Sequence, residues 1–225
     1  MKISFPSTNE TFDLELSENM LAANNQLAAE NRRFFDSRGI FAIDILGSVG
    51  SGKTTLVQQF VRRLKDKKKV ASIAGDLATT IDADRIRTAG GEVLQVNTGS
   101  LCHLDAAIIS RAMSGLNLDG LDVLLIENVG NLICPGEFRL GAHCRLVVVS
   151  VTEGPYMIVK HPAVFLDADA VAVNKTDLAG VMEVDPERLK RDALSLKPGL
   201  KTALVSAKTG EGVDELMRLM EIPGA

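Results

Sequence analysis

Tryptophan is absent from this 225-residue chain, and aromatic residues make up only 4% of it. Proteins that hold single-stranded nucleic acid stack its bases on aromatic side chains, so few such platforms exist here. Positive charge is not in excess either. The formal net charge is −4 and the pI about 5.5, which is not the electrostatic footprint of a nucleic-acid binder. No apolar run approaches the roughly 20 residues that a membrane-spanning helix needs. The opening stretch, MKISFPSTNE, lacks the apolar core of a signal peptide. There is no internal repeat, low-complexity tract or linker. A cytoplasmic protein without nucleic-acid or membrane partners is expected. Cysteine and histidine are scarce, with three of each. In a reducing compartment such cysteines are thiols or metal ligands rather than disulfides.

What is present is an ordinary globular composition, 46% hydrophobic and 24% charged, enough for a full core. Apolar runs with β character occur at 40–46, 70–74, 92–96, 122–126, 146–151, 169–173 and 202–205. Helix-type segments lie between most of them, at about 53–65, 81–89, 103–114, 155–165, 186–196 and 212–220. Several strand runs are apolar almost throughout, so both faces are covered. The alternation predicts an α/β fold, a doubly wound, mostly parallel sheet flanked by helices. Residues 1–16 read as a loose arm and Ser17 as the N-cap of a helix that stops at Gly39. Residues 1–38 are therefore an N-terminal helical extension of one domain, and 39–225 its body.

The stretch GSVGSGKTT begins at Gly47, after a strand and opening a helix. It fits the G-x-x-x-x-G-K-[ST] phosphate loop, so the fold is expected to be that of a P-loop NTPase. Gly47, Gly50 and Gly52 let the backbone curl so that N–H groups, those of Ser51 and Thr55 among them, meet phosphates. Lys53 can reach the β- and γ-phosphates, and Thr54 can ligate Mg²⁺. The helix dipole adds to the anion site.

The loop alone does not choose the base. NKTD, 174–177, follows a strand, and Asp177 can accept two hydrogen bonds from guanine. Adenine would leave a lone pair of that carboxylate unmatched. Asn174 would brace the loop and the Lys175 stem would lie on the base. SAKTG follows the next strand, where the backbone of Ser206, Ala207 and Lys208 can meet guanine O6. Glu127 ends an apolar strand, the place where P-loop proteins keep an acid for Mg²⁺ or its waters. Gly130 has the spacing for an amide contact to a γ-phosphate. Asp76 is a second acid at a strand tip, for a Mg²⁺ water, the attacking water or a local cap. Lys53, Asp76, Glu127 and Gly130 are the candidate catalytic set, and Thr54, Asp76 and Glu127 the candidate Mg²⁺ set.

Cys102 and His103 are adjacent, and Cys and His are the side chains that hold soft transition metals best. Two ligands make a poor site. Cys134, four residues after Gly130, is a third soft ligand on the segment expected to respond to the γ-phosphate. Two chains about a two-fold axis would double the set. His143, Cys144 and His161 are read as structural.

With these residues in view, the chain resembles the hydrogenase nickel-incorporation GTPases of the HypB family, a SIMIBI-class group. The resemblance runs from about residue 18 to 220. It rests on GSVGSGKT, AGD, NTGSLCHLDA, IENVGNLICP, TEG with KHP, NKTD and SAKTGEG in that order. The specific part is CHLDA with ENVGNLICP. It implies a slow, Mg²⁺-dependent GTPase that dimerises with nucleotide and binds Ni²⁺ or Zn²⁺ through Cys102, His103 and Cys134. It also implies delivery of nickel to the [NiFe] hydrogenase large-subunit precursor, together with a small HypA-like zinc protein. Residues 1–38 contain neither Cys nor His, so the N-terminal nickel store of many members is not expected. The urease nickel GTPases share the P-loop and guanine loop but carry a C-P-H motif where this chain has C-H-L-D. A metal-responsive binding switch without appreciable turnover is a further alternative. A P-loop kinase would leave NKTD unexplained.

Overall fold

The computed structural model describes residues 8–76, 79–99 and 101–225, with side chains from residue 19 onward, Pro135 excepted. Helix α1 spans Thr8–Arg38 and is followed by β1, Phe41–Leu46, and α2, Lys53–Leu64. Then come β2 (Val70–Asp76), α3 (Ile81–Thr88), β3 (Glu92–Asn97), α4 (Ala106–Met113) and β4 (Val123–Glu127). A short α5 (Cys134–Glu137) precedes β5 (Cys144–Ser150), α6 (Met157–Lys160) and α7 (Pro162–Leu166). The chain ends through β6 (Ala170–Asn174), α8 (Ala179–Met182), α9 (Pro186–Leu196), β7 (Lys201–Leu204) and α10 (Val213–Leu219).

The seven strands form one sheet in the order β3-β2-β4-β1-β5-β6-β7, and every pairing is parallel. Parallel strands need crossovers, and crossovers cover faces. One face carries α2, α3 and α10 over a core that includes Ile43, Ile45, Leu125 and Val148. The other carries α1 and α4 over Ala42, Ile73, Leu124 and Ile126, and α6, α7 and α9 over Leu46, Val147, Val149 and Val173. Central β1 lies between β4 and β5. All the strand tips that the sequence marks therefore converge at the carboxyl edge, where ligands bind in such folds.

Three readings of the sequence change. The first helix begins at Thr8, so Ser17 lies inside it rather than capping it. The stretch TNETFDLEL contains no Gly or Pro to stop a helix. Residues 1–7 of the expected arm lie outside the described residues. The helix expected over 155–165 is two short ones. Pro162 lacks the N–H that a continuous helix would use, and the break falls at His161. The helix expected from 103 begins at Ala106. Asp105 caps it by accepting from the Ile108 N–H at 2.7 Å, which leaves Cys102 and His103 in the preceding loop.

Helix α1 is held by two buried amides and, nearer the surface, by the Arg32 guanidinium on the Ala142 carbonyl at 2.9 Å. Asn31 Nδ2 donates to the carbonyls of Ala106 at 2.9 Å and Leu140 at 3.1 Å. Asn24 accepts from the Ala106 N–H and donates to the Arg139 carbonyl. His143, read as structural, joins this helix to β1. Its Nδ1 accepts from the Ala42 N–H at 3.0 Å, its Nε2 meets Asp36 at 2.9 Å, and its ring stacks on Phe41.

Candidate nucleotide and metal site

The phosphate loop joins β1 to α2. Gly52 caps α2 with φ of 100°, in the left-handed region, and a Cβ there would lie 2.3 Å from the Asn174 amide nitrogen. Glycine is thus required twice, by backbone angle and by close approach. Lys53 Nζ folds onto the carbonyls of Gly47 at 3.0 Å and Ser48 at 3.1 Å. Burial holds its pKa below the ordinary lysine value, while Glu127, Asp82, Glu153 and Asp76 pull it back up. A cavity of about 460 Å³ opens in front of the loop, lined by Gly50, Gly52, Lys53, Thr54, Thr55, Asp76, Glu127, Gly130 and Lys175.

The Thr54 hydroxyl faces two carboxylates, Glu127 Oε1 at 2.6 Å and Asp82 Oδ1 at 2.8 Å. One hydroxyl hydrogen cannot serve both, and a cation among these oxygens relieves the mismatch. Glu127 is 3% exposed, and its Oε2 has no hydrogen-bond partner. Burial raises its pKa to about 7 against the opposing Thr54 hydrogen bond and Lys53 charge. An orphaned buried carboxylate oxygen beside the P-loop threonine fits Mg²⁺ or one of its waters. Asp82 was not picked out from the sequence. It opens α3 in a stretch, IDADR, where any of several acids reads as a helix N-terminal charge. Asp76 lines the same cavity, and its Oδ2 accepts from the Thr79 N–H at 3.1 Å and from the Thr79 hydroxyl. Gly130 lies against the loop, where a Cβ would meet Val49 Cγ2 at 2.6 Å. Asn131 bridges to Gly47.

A second cavity of about 200 Å³ adjoins the first, lined by Gly52, Thr55, Asn174, Lys175, Asp177, Leu178, Ala207 and Lys208. Asn174 Nδ2 donates to the Ser51 carbonyl at 2.8 Å, and its Oδ1 accepts from the Ala207 N–H at 3.0 Å. One buried amide therefore joins the phosphate loop, the NKTD turn and the SAKTG loop. The Ser206 hydroxyl donates to Asp177 Oδ1 at 2.7 Å, which aims that carboxylate. Lys175 sits at φ of 62° and reaches the Thr152 hydroxyl at 3.2 Å.

Cys102 and His103 lie on the loop before α4, and Cys134 opens α5 nearby. A hydrogen bond between the Cys102 and Cys134 thiols, with burial behind it, holds the Cys102 pKa above the ordinary thiol value. Cys102 Sγ lies 3.7 Å from His103 Nδ1. Burial lowers the pKa of His103, which favours the neutral imidazole that binds metals. The His103 ring stacks on Phe138 at 4.0 Å between centroids. Among the described residues, no three His, Cys, Asp or Glu side chains are gathered closely enough to hold a metal ion as they stand. Cys102 lies against His103 with Cys134 nearby, and closing the set requires movement or further ligands. Cys144 is a poor ligand, its thiol pushed up to about 12 by burial. His161 lies beside Ile133 and Gly136 at a cavity of about 160 Å³.

Fold and site together define a P-loop nucleotide-binding protein. Residues 41–203 match the family model described as CobW/HypB/UreG, nucleotide-binding domain. The chain is 41% identical over 216 residues to the hydrogenase maturation factor HypB of Escherichia coli K12, covering 96% of this chain and 74% of that one. HypB from Archaeoglobus fulgidus superposes with a TM-score of 0.82 at 39% identity, over 89% of this chain and 98% of that one. HypB from Helicobacter pylori, solved in complex with nickel, superposes with a TM-score of 0.83 at 35% identity, over 90% and 95%. The chain belongs to the HypB family of hydrogenase maturation factors.

Proposed function

We propose that this chain is a GTP-hydrolysing metallochaperone that carries nickel for insertion into the [NiFe] hydrogenase large-subunit precursor. The observation that carries the reading is Cys102 Sγ at 3.7 Å from His103 Nδ1, with the Cys134 thiol near enough to raise the Cys102 pKa. Cys134 stands at the end of the same short segment that presents Glu127 and Gly130 to the phosphate loop. The names of the matched relatives, one of them solved with nickel, support the choice of metal and client.

In this reading Asp177, aimed by Ser206, selects guanine, and Asn174 holds the base loops against the phosphate loop. Lys53 leaves the Gly47 and Ser48 carbonyls for the β- and γ-phosphates. Thr54 and Glu127 would hold Mg²⁺, with Asp82 in support, and that ion would neutralise charge developing on the transferred phosphoryl group. Asp76 orients the attacking water or a Mg²⁺ water. Arg85, near the Thr55 hydroxyl at 2.8 Å, is the one arginine that lines the phosphate cavity among the described residues. It is engaged with α2 rather than presented as a finger, so turnover by the isolated protein is slow. An arginine finger is worth about 10³–10⁵ in rate.

Nickel or zinc is bound through Cys102, His103 and Cys134. The unclosed set is completed across a two-fold axis in a nucleotide-dependent homodimer. Val49 (82% exposed), Leu101 (46%) and Ile133 (63%) are apolar residues standing beside the phosphate loop and the two cysteines, as a second copy would require. A HypA-like zinc protein is the expected donor or helper, and the cytoplasm the expected compartment. No described helix is long and apolar enough to cross a membrane.

The test is nickel and zinc titration of the purified protein with GDP and with a non-hydrolysable GTP analogue, alongside GTP turnover. Metal bound through thiolates, with an affinity that differs between the two states, is the expected result. No metal binding in either state overturns the reading. Metal binding without GTP turnover returns the chain to a binding switch.

A further inference from the structure

Strand β1 carries one charged residue, Asp44, at the centre of the sheet. Its register partner on β5 is Arg145, and both are about 2% exposed. Burial pushes the Asp44 pKa up even with the guanidinium beside it. Replacing a buried ion pair by apolar residues is often neutral or stabilising. Apolar pairs such as Leu46 with Val147 already fill the next positions. An apolar pair would fill this space, so what sets Asp44 and Arg145 apart is the contacts they make beyond each other, an ion pair of Arg145 with Asp167 among them.

Asp44 Oδ1 accepts from Asn128 Nδ2 at 3.3 Å. Asn128 is fully buried and follows Glu127 directly. Its Oδ1 accepts from the N–H of Leu104, the residue after His103, and from the N–H of Val129, each at 3.0 Å. On the other side, Arg145 donates to the Gly136 carbonyl at 2.8 Å and to the Phe138 carbonyl at 2.7 Å. These lie two and four residues beyond Cys134, and Phe138 carries the His103 ring. One buried polar chain thus begins beside the Mg²⁺-facing carboxylate and ends on both segments that bear the soft ligands.

We propose that Asn128, Asp44 and Arg145 are positioning residues that tie the two ligand-bearing loops to each other and to Glu127, and so set how strongly the nucleotide state alters metal affinity. This rests on the metallochaperone reading above. When Glu127 and Gly130 shift toward Mg²⁺ and the γ-phosphate, the Asn128 amide shifts with them and draws on the Leu104 N–H. Through Asp44 it also re-aims the guanidinium that holds Gly136 and Phe138. The Cys102–Cys134 separation then follows the nucleotide rather than drifting independently of it.

The variant to make is Arg145→Lys. It keeps a positive charge opposite Asp44 but loses the planar fork that reaches two carbonyls at once. Lys201→Gln, which breaks an exposed pair with Glu221 on edge strand β7, outside this chain of contacts, is the control. Nickel affinity is followed by sulfur-to-nickel charge-transfer absorption, with GDP and with a non-hydrolysable GTP analogue. In wild-type protein the two affinities should differ by about tenfold or more. In Arg145→Lys the ratio should fall to within about twofold while GDP affinity is unchanged. Lys201→Gln should keep the wild-type ratio. A wild-type ratio in Arg145→Lys overturns the proposal and leaves the metallochaperone reading standing, whereas equal affinities in wild-type protein overturn the coupling in both. Should Arg145→Lys fail to bind GDP, hydrogen exchange in wild-type protein decides. Protection over residues 101–106 and 134–140 should differ between the two nucleotide states, and identical protection overturns the proposal.

Discussion

At the scale of single residues, the roles proposed for Asp177 and Glu127 are separable and have separable tests. Asp177 is held by the Ser206 hydroxyl at 2.7 Å, at the edge of the smaller cavity. An amide at this position would turn a donor toward the guanine donors. Asp177→Asn should therefore lose about 2–4 kcal/mol of GTP preference. Competition against labelled GDP checks this, and ATP displacing GDP as well as GTP does in wild-type protein would refute the assignment. Glu127 is tested by pH. Its folded pKa, about 7, is raised by burial above the ordinary carboxylate value. The native state therefore binds the extra proton, and stability falls as pH rises from the ordinary carboxylate range through about 7. Mg²⁺ requires the ionised form, so its binding expels that proton below about pH 7. Mg²⁺ affinity in the GDP complex should climb up to about pH 7 and level off above it. Glu127→Gln should remove that climb, and comparison with the variant subtracts the titration of the nucleotide itself. Equal pH profiles for the two proteins would take Glu127 out of the Mg²⁺ site.

At the scale of elements, α1 offers the sharpest test. Asn31 is 3% exposed and satisfies two carbonyls on different elements. Asn31→Ala leaves both buried acceptors short of a donor, at a cost of about 1–3 kcal/mol. Urea unfolding should register that loss while GDP affinity stays within about twofold, since α1 touches no phosphate-loop residue in these hydrogen bonds. An unchanged midpoint would mean that α1 is not anchored by these bonds. Elements also mark how far the sequence could be read. The strands were legible because a short run that is apolar at nearly every position suits a strand covered on both faces, and α2 because a glycine loop announces it. The split between α6 and α7 was written in Pro162 but hidden by the apolar pattern running across it. The start of α1 was missed because helix propensity continues upstream of a plausible cap. Asn174 and Ser206 could be placed beforehand because one ends a strand and the other follows one, each in a short motif whose neighbours define its task. Asp44, Asn128 and Arg145 could not. Their meaning comes from register between β1 and β5 and from a hydrogen bond spanning 84 residues, and no local spacing encodes either.

For the whole molecule, the single chain brings three soft ligands near one another without closing them into a site. The nearby surface carries exposed Val49, Leu101 and Ile133. In the proposed dimer, these apolar side chains would lie on the face that the second copy covers in at least one nucleotide state. A two-fold axis through that face would bring each cysteine pair to its copy and make the metal site isologous. Nucleotide, dimer and metal would then be linked, because whatever favours the paired state must favour every ligand that prefers it. Ile133→Asp places a charge on this face without touching the phosphate cavity. In metal-free protein, native mass measurement should show wild type as a monomer with GDP and a dimer with the GTP analogue. The Ile133→Asp protein should remain a monomer in both states and bind GDP as wild type does. Doubling of the mass in Ile133→Asp, as in wild type, would move the interface elsewhere and leave Cys102, His103 and Cys134 to find their remaining ligands within one chain or on a different partner.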